Sequence, residues 1–232
     1  LYGDLDISVI DELPVGRTPI KTFVRQADAL PKVWAFIRGK LAEGRQAYVV
    51  YPRVEDGGKE ELKAVTKEWE ILQKEMQPYQ VGLLHGRRRA EEKDEVMAAF
   101  RNNSIQLLLT TPLIEVGVDV PNATVMLIEN AEHFGLAQLH QLRVRIGRGA
   151  HESYCILVHG RKTPEADRRL QILAETNDGF EIADADLKLR GPGELLGQQQ
   201  SGLPPFRFAN LSEDLALVER ARELAGMILN GS

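Results

Sequence analysis

Residues 105–130 read IQLLLTTPLIEVGVDVPNATVMLIEN, and two runs inside them, IQLLLT (105–110) and ATVMLI (123–128), decide the fold class. Each is shorter than an ordinary helix, and neither alternates apolar with polar residues. That is the pattern of a strand buried on both faces of a parallel sheet. Working outward, QAYVVY (46–51), QVGLL (80–84) and SYCILV (153–158) repeat it. Helical periodicities fill the gaps. Leu30, Val33, Trp34, Ile37 and Leu41 share one face of 28–44, which Gly44 ends; Leu62, Val65, Trp69, Leu72 and Met76 share one face of 59–76. RRRAEEKDEVMAAFRN (87–102) and LAQLHQLRVRI (136–146) supply two more helices. Strand–helix alternation of this kind predicts an α/β fold, a parallel sheet with helices on both faces. Such sheets gather ligands at the carboxyl ends of their strands, where TTPLIEVGVDVPN (110–122) and HGRRR (85–89) follow two of them.

The pattern changes after His159. Two consecutive helices, 163–177 and 179–191, precede a Gly-, Pro- and Gln-rich segment (190–208) and a last helix (212–229), so a boundary is expected near residue 160. The 232 residues suffice for one large domain with an appendage, and 43% apolar and 27% charged residues describe an ordinary globular protein. No run of eighteen apolar residues suggests a membrane span, and the acidic opening LYGDLDISVIDELPVGR lacks the basic start of a secretory signal. The single cysteine, Cys155, sits in an apolar strand, which makes it a core residue and fits a reducing cytosol. A net charge of −5 excludes a generally basic nucleic-acid coat protein. From Leu139 to Arg169, however, seven Arg or Lys stand against three Asp or Glu.

That basic segment contains QLHQLRVRIGRGAH (138–151). Continued as a helix, it places Gln141, Arg145 and Arg148 within roughly 60° of one another and turns Arg143 to the other side. Guanidinium forks on one face suit an external phosphate, although the spacing equally fits a solvated or salt-bridged helix end. Gly117 permits close backbone approach and Asp119 can accept from a ribose hydroxyl; an ordinary turn uses the same two residue types. His85, Gly86 and Arg87 offer donors and cations at a strand end, or a basic loop leading into an acidic helix.

Taken together, these stretches resemble the second motor lobe of a superfamily two helicase. QLHQLRVRIGRG resembles the arginine-finger motif, LIEVGVDVPNATVMLIENAEHFGLAQ (113–138) the motif before it, and AYVVYPRVED (47–56) the fourth motif. LYGDLDISVIDELPVGRTPIKT (1–22) is similar to the inter-lobe segment of the bacterial RecG helicase family, and DLKLRGPGELLGQQQSG (186–202) to its C-terminal coupling loop. The Mfd translocase family shares that loop in a looser form.

The resemblance implies a RecA-like lobe over 25–160, preceded by an inter-lobe connector (1–24). A helical hairpin, coupling loop and C-terminal helix follow over 161–232. Arg145, Arg148 and Gln141 would act on the nucleotide's terminal phosphates, with Gly117 and Asp119 lining the same cleft. His85, Gly86, Arg87 and Thr111 would face the DNA backbone. Arg169, Arg190 and Gln200 would couple ATP-driven movement to translocation. The implied cofactors are ATP and Mg, bound mainly by a first lobe. The implied partners are DNA, especially branched DNA, and the N-terminal helicase lobe and wedge domain of the same protein. The motor would be a monomer in the bacterial cytoplasm, with no membrane association and no resident metal. Two positions depart from the family: Val144 stands where it has glycine, and Pro112 where it has a second threonine.

No G-x-x-x-x-G-K-[ST] occurs, nor an Asp-Glu-x-His motif. A P-loop is what cradles the β- and γ-phosphates, so the expectation is a C-terminal fragment holding half of an ATP site and inactive alone. The alternatives are a non-catalytic module that binds nucleic acid or a partner, and an Mfd-type translocase lobe.

Overall fold

The computed structural model describes residues 19–52, 59–111, 120–160, 163–190 and 220. In chain order these form β1 (Lys21–Gln26), α1 (Leu30–Ala42), β2 (Gln46–Val50), α2 (Lys59–Glu75), β3 (Val81–Leu84), α3 (Ala90–Arg101), β4 (Leu107–Thr110), β5 (Ala123–Ile128), α4 (Leu136–Arg143), β6 (Tyr154–His159), α5 (Pro164–Glu175) and α6 (Gly179–Arg190). The six strands make one parallel sheet in the order β1-β6-β5-β2-β4-β3. All carboxyl ends therefore lie along one edge and all amino ends along the other.

Strands β2, β3, β4 and β5 are buried at every residue. A strand can be apolar on both sides only when both faces of its sheet are covered. On one face, Ala47, Val49, Leu107, Leu109, Val125, Leu127, Ile156 and Val158 pack with Val33, Ile37 and Leu41 of α1 and with Val65, Leu72 and Met76 of α2. The alternate residues line the opposite face, where α3 brings Phe100 onto Tyr48 with ring centroids 4.9 Å apart. There α4 packs on α5, and α5 on β1. Cys155, fully buried beneath, has its thiol pushed up to about 12 by burial, so it is a core residue and no nucleophile at neutral pH.

Two features depart from the sequence reading. The first strand, β1, lies largely inside the segment assigned to the connector. Its burial only half-alternates, Phe23 is exposed, and it pairs on one side only, with β6. An edge strand of this kind carries too little apolar signal to stand out. The second concerns the boundary near 160. The chain divides into compact units Leu1–Asn177 and Asp178–Ser232, so α5 belongs with the sheet. Local chemistry sets both helix starts. The Thr163 hydroxyl accepts from the Ala166 amide at 3.2 Å ahead of Pro164, and the Asp178 carboxylate accepts from the Phe180 amide at 2.7 Å.

Candidate functional site at the two edges of the sheet

Helix α4 starts beyond the carboxyl end of β5 and runs back, so residues 144–152 lead into the amino end of β6. The turn they form rests on the amino edge. Gly147 lies against Ile20, just ahead of β1, and a methyl group at Gly149 would sit 2.7 Å from the carbonyl oxygen of Pro121, just ahead of β5. Arg145 and Arg148 are therefore at the amino edge, half-buried and exposed respectively.

The helical face expected for Gln141, Arg145 and Arg148 does not form, because α4 stops at Arg143. The amide of Val144 still reaches His140, but those of Arg145 and Ile146 bond back only three residues, to Leu142 and Arg143. This tightening is common in a last helical turn. Gly147, at φ +74°, then takes the left-handed conformation that ends helices. Gln141 stays on the helix and is exposed, while the two arginines share the turn. Val144 adopts ordinary right-handed geometry (φ −72°, ψ −1°), so nothing in its backbone requires the glycine found in the resembling families. Its carbonyl accepts from Nε of Arg148 at 3.5 Å. Pro112, Gly117 and Asp119 lie outside the described residues.

A polar brace holds the ledge beneath this turn. Nη1 of Arg45 donates to Asn122 Oδ1 at 3.0 Å, and Nδ2 of Asn122 donates to the Gly44 carbonyl at 2.9 Å. The buried Gln46 side chain donates to the Ile105 carbonyl at 2.8 Å and to that of Phe100. Arg143 turns inward, 1% exposed, and donates to the carbonyls of Leu173 (2.6 Å) and Thr176 (2.8 Å). Burial holds its proton affinity below the usual arginine value. Nothing in the sequence pattern marks these side chains except that Gln46 is a polar residue opening an otherwise apolar strand.

The opposite edge gathers a different set. Leu84 pairs with Thr110, and the Thr111 amide donates to the Leu84 carbonyl, so His85 and Thr111 leave neighbouring strands side by side. A turn closed by the Arg88 amide on the His85 carbonyl presents Gly86 and the exposed Arg87. Desolvation first, then the charge of Arg88, lowers the pKa of His85, which favours a neutral imidazole at pH 7. Strands of four to six residues separate the two edges by about 13–20 Å. His85, Gly86, Arg87 and Thr111 thus stand together, well apart from Arg145 and Arg148.

Next along the carboxyl edge, the Tyr51 hydroxyl donates to Glu129 Oε1 at 2.9 Å. Burial raises the pKa of Glu129 despite that bond. A carboxyl group whose proton is held more tightly in the folded state stabilises fully below its unfolded pKa and loses that contribution as pH rises through the folded value. Glu129→Gln is therefore expected to gain stability relative to the parent chain between about pH 4.5 and 7. Urea titrations at several pH values check this, and a difference that shrinks with rising pH contradicts it.

The model of the helicase conserved C-terminal domain matches residues 27–150, more than half of the chain. The chain belongs to that family. A second model, for the C-terminal part of domain 3 of the ATP-dependent DNA helicase RecG, matches residues 176–232. This helicase C-terminal domain is 51% identical over 226 residues to the ATP-dependent DNA helicase RecG of Synechocystis sp., covering 97% of this chain and 27% of that protein. The Escherichia coli K12 protein of the same name is 48% identical, with 97% and 33% covered. The chain therefore spans about a third or less of the length of these relatives. A solved structure of RecG bound to a three-way DNA junction superposes with a TM-score of 0.73 at 47% identity, covering 94% of this chain and 28% of that one. The second domain of the DEAD-box helicase Mss116p, bound to an RNA duplex, has a TM-score of 0.52 at 16% identity, covering 72% and 68%, and shares the RecA-like fold alone.

In this helicase domain Arg169, on α5, donates to the Glu132 carbonyl at 3.2 Å, in the turn that follows β5. Further along α5, Glu175 accepts from Gln171 at 3.1 Å. Arg190 closes α6, and Gln200 lies outside the described residues. Among the described residues no three His, Cys, Asp or Glu side chains stand together as metal ligands, and no helix is long and apolar enough to cross a membrane.

Proposed function

We propose that this chain is the second motor lobe and coupling segment of an ATP-dependent helicase that remodels branched DNA in bacterial recombination and repair. The observation that carries the reading is the segregation of two donor sets to opposite edges of one sheet, in a chain 47% identical to a RecG solved on a three-way junction. At the amino edge, Arg145 and Arg148 form an all-donor set that suits the terminal phosphates of ATP, with Gln141 on the adjoining helix; Gly117 and Asp119 are assigned to the same nucleotide on the family resemblance alone. Bound there, ATP supplies the phosphoryl group whose transfer drives movement. The arginines stabilise the charge that develops on it. At the carboxyl edge, His85, Gly86, Arg87 and Thr111 hold the DNA backbone, where contacts position a strand without reading its sequence. Mg and the P-loop belong to a first lobe; residues 1–24 connect to it, and a wedge domain selects branched DNA. Arg169, Arg190 and Gln200 couple the lobes' movement to translocation in a monomeric motor.

Unwinding of three- and four-way junctions by the complete gene product, with and without ATP, tests this. ATP-dependent unwinding is expected, and its absence overturns the reading. The 232-residue chain alone is expected to show no DNA-stimulated ATP turnover.

A further inference from the structure

Arg143 is a buried cation with no carboxylate among its partners in the described residues, and burying an unpaired charge is costly. Its acceptors explain how it is tolerated. Nη1 donates to the carbonyls of Leu173 and Thr176 at 2.6 and 2.8 Å and approaches the Thr22 hydroxyl at 3.4 Å, while Nη2 lies 3.2 Å from Nδ1 of His140. Leu173 lies in the last turn of α5 and Thr176 is its C-cap. The Leu173 carbonyl is one of the unpaired acceptors at the negative end of that helix, where a cation is favoured, and the Thr176 carbonyl beside it adds a second acceptor. The backbone of Arg143, meanwhile, ends α4 and opens the turn that carries Arg145 and Arg148; the Ile146 amide donates to its carbonyl at 3.3 Å. One residue thus bonds the start of the arginine turn through its main chain and the end of α5 through its side chain. Thr176 stands just ahead of the break between the two compact units.

We propose that Arg143 is a positioning residue that makes the 144–149 turn and the end of α5 a single element, so that Arg145 and Arg148 keep their place only while α5 is held. This deepens the motor-lobe reading and rests on it. Lysine at 143 keeps the charge but reaches one carbonyl instead of two, and methionine keeps the bulk alone.

In the complete gene product, Arg143→Met is expected to lower kcat for DNA-stimulated ATP turnover by about 10²-fold, the scale of a misplacement near 1 Å. KM for ATP and affinity for branched DNA stay within about threefold, and Arg143→Lys recovers about tenfold of the lost rate. In the 232-residue chain, hydrogen exchange is expected to quicken together at 144–149 and at 173–177 in Arg143→Met, with β2, β4 and β5 as protected as before. Faster exchange at one segment alone, or across the whole sheet, overturns the proposal. So does an unchanged kcat in a variant whose melting temperature has fallen. Should Arg143→Met not fold, Arg143→Lys decides on the same two segments. If the unaltered gene product shows no DNA-stimulated ATP turnover, the motor reading fails, and the exchange pattern still decides whether Arg143 joins the turn to α5.

Discussion

Arg148→Ala in the complete gene product is expected to lower DNA-stimulated ATP turnover by about 10³-fold, with affinity for branched DNA held within about threefold. The size follows from the charge on a transferring phosphoryl group, which a guanidinium fork meets better than water in a closed cleft. The specificity follows from position. Arg148 is exposed and its Nε makes a long contact to the Val144 carbonyl at 3.5 Å, so alanine at this surface position is expected to change stability by no more than about 0.5 kcal/mol. His85, Arg87 and Thr111 lie at the other ends of the strands and keep their turn. Arg190→Ala is the counterpart, expected to retain much of the ATP turnover while losing fork unwinding. Filter binding, steady-state ATPase and fork-unwinding assays on both variants decide the matter. Parallel loss of both activities in both variants sinks the division of labour between the arginine turn and the coupling segment.

Gly149→Ala is expected to cost about 1–3 kcal/mol of stability, and about 10² in ATP turnover beyond that. Its added methyl would meet the Pro121 carbonyl oxygen at 2.7 Å, and that oxygen belongs to main chain braced by Asn122, Arg45 and Gly44. The ledge cannot yield, so the turn must lift, and Arg145 and Arg148 lift with it. Gly147 provides the contrast. An alanine there is strained at φ +74° and meets Cγ1 of Ile20 at 2.9 Å, a side-chain neighbour rather than main chain. Gly147→Ala is therefore expected to lose stability with a smaller loss of turnover. Urea denaturation and ATPase rates measured on the same preparations separate the two effects. Parental behaviour of Gly149→Ala in both would show that the turn does not rest on Pro121.

Five of the six strands were legible because burial on both faces leaves them continuously apolar, as in LLLT and ATVMLI. β1 was not, since an edge strand half-covered by helices reads KTFVRQ, with three cations or amides in six residues. The pairing of His85 with Thr111 was implicit in the order of the motifs, whereas the migration of Arg145 and Arg148 to the amino edge was not. Helical angles extrapolate correctly only while the helix lasts, and Gly147 ends it through a backbone angle that a sequence does not print. Arg143 shows the deeper limit. Its helical angle separates it from Arg145 and Arg148, but only the carbonyls of Leu173 and Thr176, thirty residues on, show what it holds instead. Polar side chains satisfied by main-chain groups leave no complementary charge in the sequence to reveal them.

The pairing of β1 with β6 also bears on how the lobe is made. Lys21 registers with Tyr154, and its ammonium meets Glu152, 131 residues away, at 2.7 Å. During synthesis β1 emerges first and has no partner until almost the whole sheet has followed. Closing so long a loop is the slowest kind of step in assembling a parallel sheet. The strand waits with both of its hydrogen-bonding edges unpaired, and chaperone dependence of folding should concentrate in that interval.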